Sequence, residues 1–488
     1  MALTTGIEHL RPSPSKGQLF QGNYITDFDF TKQFLPDVYE KEAEIYGNRS
    51  IGSFLRMVSA EMPSASDEIR WVEQGRLHVK YTGVGMAAAG GTGTVVFTIG
   101  GTAGFTANPD GTAYAASEAG AVRVGQTIMV QGGDSSGNPI GPVLKGVVTV
   151  GSTAAAGDTA TFTAICYTAA NFNAITSFSG YTANKATVLV YGSEFAKGTA
   201  GMDGAIDSTY SSYTNKPIIL KDNYNINGSD TAQIGWIEVT SENGASGYLW
   251  YLKSEHETRQ RFEDYLEMSM VEAVKKASGA GTGFPSNVTG SEGLFAALEG
   301  RGNVFTDLSS DTDLSDFDLI LKQLDKNGAI EENMIYGDRA LSLSIDDGLA
   351  AKNSYGSGGT SYGVFNNSED MALNLGFAGF RRGSYDFYKT DWKYLNDFGT
   401  RGGFSDVEGV IIPAGTSTVY DQELGQNIKR PFLHIRYRAS EADDRKMKTW
   451  ITGSVGGAYT STTDEMRVSM LSERCLITQG ANNFFLLK

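Results

Sequence analysis

The chain has 488 residues, 40% of them hydrophobic and 11% aromatic, enough for two to four packed units rather than one core. Its formal net charge of −16 excludes a general grip on nucleic acid, because phosphate contacts need clustered Lys and Arg. Two cysteines exclude a disulfide framework and a Cys-based zinc cluster, and 60 glycines point to a turn-rich, β-rich fold.

Cys166 and Cys475 read as buried thiols acting as small hydrophobes. The opening MALTTGIEHLRPSPSKGQLF lacks a basic-then-apolar leader, and no run of about 20 apolar residues follows, so neither a signal peptide nor a membrane span is expected. Residues 1–60 read as an arm, with Pro12, Pro14 and Pro36 among polar spacers. Its aromatics Phe20, Phe28 and Phe30 are expected to lie across another surface.

The stretch EIRWVEQGRLHVKY (68–81) alternates apolar and polar residues and is predicted to be a strand or hairpin broken at Gly75. Small residues then take over. AVRVGQTIMV (121–130), GPVLKGVVTV (141–150), TATFTAICY (159–167) and KATVLVYG (185–192) have strand composition and are separated by Gly-rich turns. This spacing predicts a small sandwich or barrel over about 86–190, inserted into a longer two-stranded excursion. NKPIILKDNYNINGSDTA returns as an extended limb, with Tyr224 on a strand face.

SEHETRQRFEDYLEMSMVEAVKKASG predicts a long helix over 254–278. Ser254 and Glu257 form the S-x-x-E capping pattern, Phe262, Tyr265, Leu266 and Met270 recur at helical spacing, and Gly279 is placed to stop it. Such a helix spans about 37 Å. DLSDFDLILKQLDKNG predicts a capped helix ending at Gly328, and ENMIYGDRALSLSIDDGLA a strand followed by a helix. Beyond them VEGVIIPAGTSTVYD and KRPFLHIRYRA read as strands, giving an α+β fold rather than a βαβ series. The final LSERCLITQGANNFFLLK looks buried, so it is expected to be tied down as a strand, with Phe484 and Phe485 on opposite faces.

No constellation for catalysis stands out. The four histidines lack metal-ligand spacing, and DLSSDTDLSDFD departs from a calcium loop, with Asp316 where Gly is needed and Lys322 where Glu is needed. GAGTGF (279–284) follows a helix, not a strand, and reads as a hinge. GDSSG (133–137) and GTSYG (359–363) match a nucleophile elbow by letter but lie in turn and loop contexts. No enzyme, cofactor or metal is expected.

The order of these parts resembles the major capsid protein of tailed double-stranded DNA bacteriophages, with the Hong-Kong-97 capsid fold. VYGSEFAKGTAG with NKPIILKDNYNINGSDTA resembles the second limb of the family's extended loop. SEHETRQRFEDYLEMSMVEAV resembles its spine helix, ENMIYGDRAL resembles a strand-then-helix step of its axial domain, GFRRGSYDFYKTDW resembles a glycine-turn strand that such proteins carry, and LSERCLITQGANNFFLLK resembles the closing segment. The inserted segment departs from the minimal family pattern, and together with the length it is reminiscent of crAss-like phages.

The resemblance implies an N-terminal arm (1–60), an extended loop (61–253), a peripheral domain (254–330), an axial domain (331–430) and return strands (431–488). It implies self-assembly into hexamers and pentamers and an icosahedral head enclosing DNA without sequence-specific binding. Portal, scaffold and auxiliary or decoration proteins are the implied partners, with assembly in the host bacterial cytoplasm, no membrane, and the virion as destination. Assembly contacts are expected at Phe20, Phe28, Phe30, Tyr224, Phe262, Tyr265, Leu266, Phe484 and Phe485, with movement at Gly279. The alternative reading is a β-rich tail, fibre or surface adhesion protein, for which the Gly/Thr-rich middle is the support.

Overall fold

The computed structural model describes residues 60–488 apart from 76, 88–89, 101–119, 156–158, 207–209, 233–238, 241–245, 248–249, 278–279, 282, 286–287, 307–313, 353–378, 405, 415, 422–425, 456 and 458. Residues 1–59 of the arm, Gly279 and GTSYG therefore lie outside the described residues. The chain divides into two compact units. The smaller takes in the described parts of Asn223–Gln260 and Ile451–Ser469, and the larger those of Ser50–Asp222, Arg261–Trp450 and Met470–Lys488.

In the larger unit, β1 (Ala60–Ser64) is followed by β2 (Ile69–Gln74) and then by a barrel. Its strands are β3 (Lys80–Met86), β4 (Thr94–Gly100), β5 (Gln126–Gly133), β6 (Pro139–Ala155), β7 (Thr159–Cys166) and β8 (Ala186–Ser193). They close in the order β3-β4-β7-β6-β5-β8. Closure leaves no strand edge to satisfy. Alternation puts Val95, Phe97 and Ile99 inward on β4, facing Ala160, Phe162 and Ala164 of β7. Phe97 stacks on Phe162 at 4.9 Å, and Phe172, from the turn Phe172–Ser177, meets Phe97 edge-on at 5.2 Å. Gly146 is glycine for space: a Cβ there would lie 2.1 Å from the Ile165 carbonyl oxygen and 2.6 Å from the Phe172 ring.

The barrel starts at Lys80 rather than near 86, because 68–81 is not one hairpin. Its first half, β2, pairs antiparallel with β9 (Tyr210–Asn215), while its second half enters the barrel as β3 beside β8. A two-stranded ribbon thus carries the barrel, its strands six residues long, or about 20 Å.

After β9 come β10 (Ile218–Asn227), the short pair β11 (Val239–Thr240) and β12 (Ser246–Gly247), and the helix α1 (Trp250–Glu272). That helix begins a turn earlier than the S-x-x-E pattern predicts and ends sooner. Ser254 is interior: its carbonyl accepts from the Thr258 hydroxyl at 2.9 Å, and its side chain is hydrogen-bonded to the Tyr224 phenol. Beyond Glu272 the backbone turns to new partners, with Lys276 N donating to Thr289 O at 2.9 Å and Gly293 N to Ala273 O at 2.7 Å. The 23 residues span about 34 Å.

The remainder is α2 (Leu294–Arg301), β13 (Asn303–Phe305), α3 (Leu314–Asn327), β14 (Glu332–Gly337), α4 (Arg339–Lys352), β15 (Gly379–Arg382), β16 (Tyr385–Asp391) and the single turn α5 (Lys393–Asn396). Then follow β17 (Gly409–Pro413), β18 (Thr416–Asp421), β19 (Gln426–Pro431), β20 (Leu433–Arg438), β21 (Lys448–Gly453), β22 (Glu465–Thr478) and β23 (Phe485–Leu487). α3 ends as its sequence predicts, with Gly328 at φ 65° just past it. It packs Phe317 edge-on to Phe380 at 5.1 Å, and Tyr385 Oη donates to Asp325 at 2.8 Å.

β1 runs parallel to β20, which pairs antiparallel with β22. The other large sheet has the order β13-β23-β17-β14-β16-β15. Its short strand β23 is interior, parallel to β13 and antiparallel to β17. Gly480, at φ 60°, makes the left-handed turn that leads into it. Phe484 and Leu486 then enter one core, with Trp392, Leu298 and Val271, and Phe485 and Leu487 enter a second, with Phe317, Ile411 and Phe387. One strand therefore supplies both faces of the sheet.

Truncating Phe484 to Ala is expected to cost about 3–5 kcal/mol of stability, as for a fully buried aromatic. Deleting 481–488 should leave an insoluble chain. A soluble truncated chain with native circular dichroism would contradict this account of β23.

Candidate assembly site

The ribbon of β2 and β9 meets the rest of the larger unit at its base, where Asn215 closes β9. Asn215 is 1% exposed. Its Nδ2 donates to Leu476 O at 2.7 Å and to Glu292 O at 3.0 Å. Its Oδ1 accepts from Glu292 N at 2.9 Å, Lys216 N at 3.0 Å and Ser291 Oγ at 3.1 Å. One amide side chain thus joins the ribbon, the loop before α2, and β22. The residue type is dictated by the task, since only an amide offers two donors and an acceptor in one plane.

Arg301, the last residue of α2, sits beside it. Its guanidinium lies 4.5 Å from the Tyr213 ring centroid and 5.5 Å from that of Trp71, one aromatic from each ribbon strand. It pairs with Glu292 at 3.0 Å and Glu73 at 3.8 Å. Glu73 in turn accepts from Trp71 Nε1 and from Gly480 N, each at 3.0 Å. Stacking on aromatics while pairing with two carboxylates suits a planar guanidinium and not an ammonium. Below this node Trp71 packs with Cys475 and Ile477 of β22. Burial pushes the Cys475 thiol up to about 12.

A second ionic cluster braces the sheet of β1, β20 and β22. Arg474 pairs with Glu61 of β1 at 3.3 Å, donates to Lys446 O at 2.8 Å through Nη2 and to Ser472 Oγ at 2.8 Å through Nε. Lys446 also pairs with Glu61, and Arg445 with Glu473 at 2.8 Å. In the α+β lobe Lys389 and Asp346 form a buried pair at 2.5 Å. Glu272, at the end of α1, pairs with Arg401 and accepts from Tyr394 Oη at 2.8 Å, so burial and this carboxylate together raise the Tyr394 phenol.

The residues expected to carry subunit contacts are scattered. Phe20, Phe28 and Phe30 lie outside the described residues, as does Gly279. Phe262, Leu266, Phe484 and Phe485 are buried within the chain itself, so their side chains have no surface to offer a neighbour. The helical spacing that singled out Phe262 and Leu266 is the spacing of a core-facing stripe, which also holds Met270. Tyr265, at the margin of that stripe, is 45% exposed, and Tyr224 is half-buried against Ser254. Among the described acids of DLSSDTDLSDFD, Asp318 pairs with Arg382 at 2.6 Å, which holds its carboxyl below the ordinary range. GDSSG is the β5–β6 turn, in which Asp134 accepts from Ser136 N and Asn138 N at 2.8 Å. Among the described residues no group of three metal-ligating side chains converges, and no helix is long and apolar enough to cross a membrane.

Sequence reasoning missed Asn215, Glu73 and Arg301. Their partners are up to 407 positions away in sequence, as between Glu73 and Gly480, so no local pattern marks them. It also missed the exposed apolar side chains Val72 and Tyr210 of the ribbon and Phe398 and Phe404 of the loop before β17.

Asn215→Ala would leave the Leu476 carbonyl and the Glu292 amide without their partner and should cost about 2–4 kcal/mol. The check is denaturant unfolding of the purified chain; a loss under about 0.5 kcal/mol would contradict the role given to this amide. Cys475 should resist iodoacetamide in the native chain at pH 8 and react once the chain is unfolded. Its folded thiol holds the proton more tightly than the ordinary value of 9. The contribution to stability is therefore complete below about pH 9 and is lost as pH rises towards 12. Native labelling of Cys475 as fast as in denaturant would overturn that placement.

No protein-family model and no curated protein matches the chain. Solved structures do. One titled Microbacterium phage Oxtober96 is 8% identical and covers 94% of this chain and 97% of its own, with a TM-score of 0.40. The capsid of an empty GTA particle is 8% identical over 94% of this chain and 96% of its own, with a TM-score of 0.36. The mature capsid of bacteriophage PhiM1 is 8% identical over 61% of this chain and 78% of its own, with a TM-score of 0.34. Phage capsid structures are thus among the solved structures to which this chain is similar.

Proposed function

We propose that the chain is a structural subunit, the major capsid protein of a tailed bacteriophage, which assembles with copies of itself into the head that encloses the DNA. The observation that carries this reading is the ribbon. Among the described residues β2 and β9 pair only with each other, and both strands carry exposed apolar side chains, Val72 and Tyr210. A two-stranded ribbon is marginal on its own, and its open edges and apolar face favour a neighbour. Here it is anchored at one end by Asn215 and Arg301 and carries a barrel at the other. That is the form of an arm made to lap over an adjacent subunit, in keeping with the family resemblance of the element order.

In this reading the inserted barrel braces a neighbour or faces outward, and the shell is built of hexamers and pentamers. Many weak overlaps add through closure of the shell. The net charge of −16 lets DNA lie inside without sticking. Portal, scaffold and decoration proteins are the proposed partners, the host cytoplasm the site of assembly and the virion its destination, and the chain has no proposed catalytic role. A tail or fibre subunit fits less well, since α1 and the lobe of α2–α5 with its mixed sheet give the second half a compact α+β form.

Electron microscopy of the purified chain, produced alone and together with its neighbouring genes, tests the proposal. Closed shells or rings of five and six are expected in at least one preparation. Monomers or fibres in both would contradict it.

A further inference from the structure

β1 is the outer strand of its sheet, and among the described residues β20 is its one strand neighbour. The two run parallel over five residues, from Ala60 opposite His434 to Ser64 opposite Arg438. A short parallel ladder at a sheet edge is weakly held, and Pro63 has no N–H to give to it. Apolar burial adds little. The cores formed by described residues take Leu433, Ile435 and Leu476 on one face of β20 and β22 and Cys475 and Ile477 on the other, and none of them includes a residue of β1.

Charge does the holding instead. Glu61 of β1 pairs with Arg474 of β22 at 3.3 Å and with Lys446. Asp67, just past the strand, pairs with Arg438 of β20. Arg436 Nη1 donates to Pro63 O and Ala439 N to Ser64 O, each at 3.1 Å. In every one of these ion pairs the carboxylate belongs to β1 or its exit and the cation to the sheet beneath. Other charges around the seat have partners of their own. Glu473 pairs with Arg445 at 2.8 Å, Asp443 pairs with Lys448 at 2.7 Å, and Asp444 Oδ1 accepts from Lys446 N at 2.9 Å. Glu263 of α1 acts on Arg474 as well, and Glu68 pairs with Arg70 at 3.1 Å and Lys216 at 3.8 Å on the ribbon side.

The sheet beneath is complete without β1. The Arg474 side chain, 8% exposed, keeps Lys446 O and Ser472 Oγ, each at 2.8 Å, when Glu61 leaves, so no buried charge is stranded. The joint to β2 is closed by its own side chain, with Ser66 Oγ donating to Glu68 O at 2.8 Å and accepting from Glu68 N at 3.3 Å. We propose that β1 is an ionic strap, seated on β20 by its own carboxylates and able to lift off while the rest of its sheet stays folded. Lifting it bares the N–H and C=O groups along that side of β20, an edge open to another strand. Local opening starts at the least firmly held element, and salt reaches these pairs because Asp67 is 89% and Lys446 46% exposed. The opening takes place within one chain, so the inference stands or falls apart from the proposed shell.

Hydrogen–deuterium exchange of the whole purified chain tests the strap, read on residues 60–64 and on the Ala439 amide at about 0.05 M and about 1 M sodium chloride. Exchange at these sites is expected to rise about tenfold at high salt, the sum of several weak pairs, with β22 still protected. E61Q/D67N should exchange at low salt as the wild-type chain does at high salt, and should respond little to further salt. D67R, which brings two cations together at Arg438, should open the strand, and the swapped pair D67R/R438D should close it again. Equal wild-type exchange of 60–64 at both salts would overturn the inference. Loss of protection in β22 together with β1 would also overturn it, since the strand would then open only with its sheet. So would an E61Q/D67N chain that fails to fold, because the carboxylates would then hold the sheet itself. Wild-type residues 60–64 unprotected already at low salt would leave no seated state and would overturn it too.

Discussion

A ribbon that carries a domain at its far end multiplies any slack at its base. The buried amide of Asn215 and the guanidinium of Arg301 remove that slack. Each is satisfied from several segments at once, so neither the ribbon, the loop before α2 nor β22 can shift without breaking buried polar contacts. The cost of such a node is high if it is incomplete, because an unpaired buried polar group loses hydration and receives nothing in return. Here the carbonyl and amide partners are backbone atoms of fixed elements, which makes the geometry repeatable from copy to copy. In the proposed shell, many copies would depend on that repeatability more than on the strength of any one contact.

The same economy governs the segment from β22 to β23. Leu476 and Ile477 cover different faces of β22, one in the core with Leu433 and Ile435 and the other with Trp71. After Gly480 the chain crosses to the second sheet and divides its four apolar residues between two cores. Eighteen residues thus tie together both large sheets, the base of the ribbon and the end of α2. Local losses in this stretch propagate widely, whereas among the described residues the barrel closes on a core of its own and is joined to the rest through the ribbon.

Much of this was legible in the sequence wherever periodicity and burial coincide. The strand runs of the barrel, the helix α3 with Gly328 behind it, and the apolar run of β22 and β23 all have local patterns that match what they become. The long helix shows the limit. Ser254 and Glu257 form a capping pattern by letter, yet Ser254 is interior, because Tyr224 takes its side chain and the helix has already begun at Trp250. Phe262 and Leu266 show another: an apolar stripe has the same spacing whether it faces a neighbour or the chain's own core. The node at Asn215 left no trace, since an isolated Asn before Lys216 looks like any turn residue until β22 is folded against it. Phe398 and Phe404 stand in a Gly-rich stretch that reads as a plain loop, and only their exposure sets them apart.

The central claim of the proposed function is that the described cores close within one chain while the ribbon serves a neighbouring copy. Hydrogen–deuterium exchange on the same chain, before and after assembly, tests this most directly. The account predicts new protection in the ribbon, residues 69–74 and 210–215, with β22 and β23 already protected in the free subunit and unchanged in the assembled one. Protection appearing first in β22 and β23 on assembly, with the ribbon still exchanging as in the free chain, would contradict it.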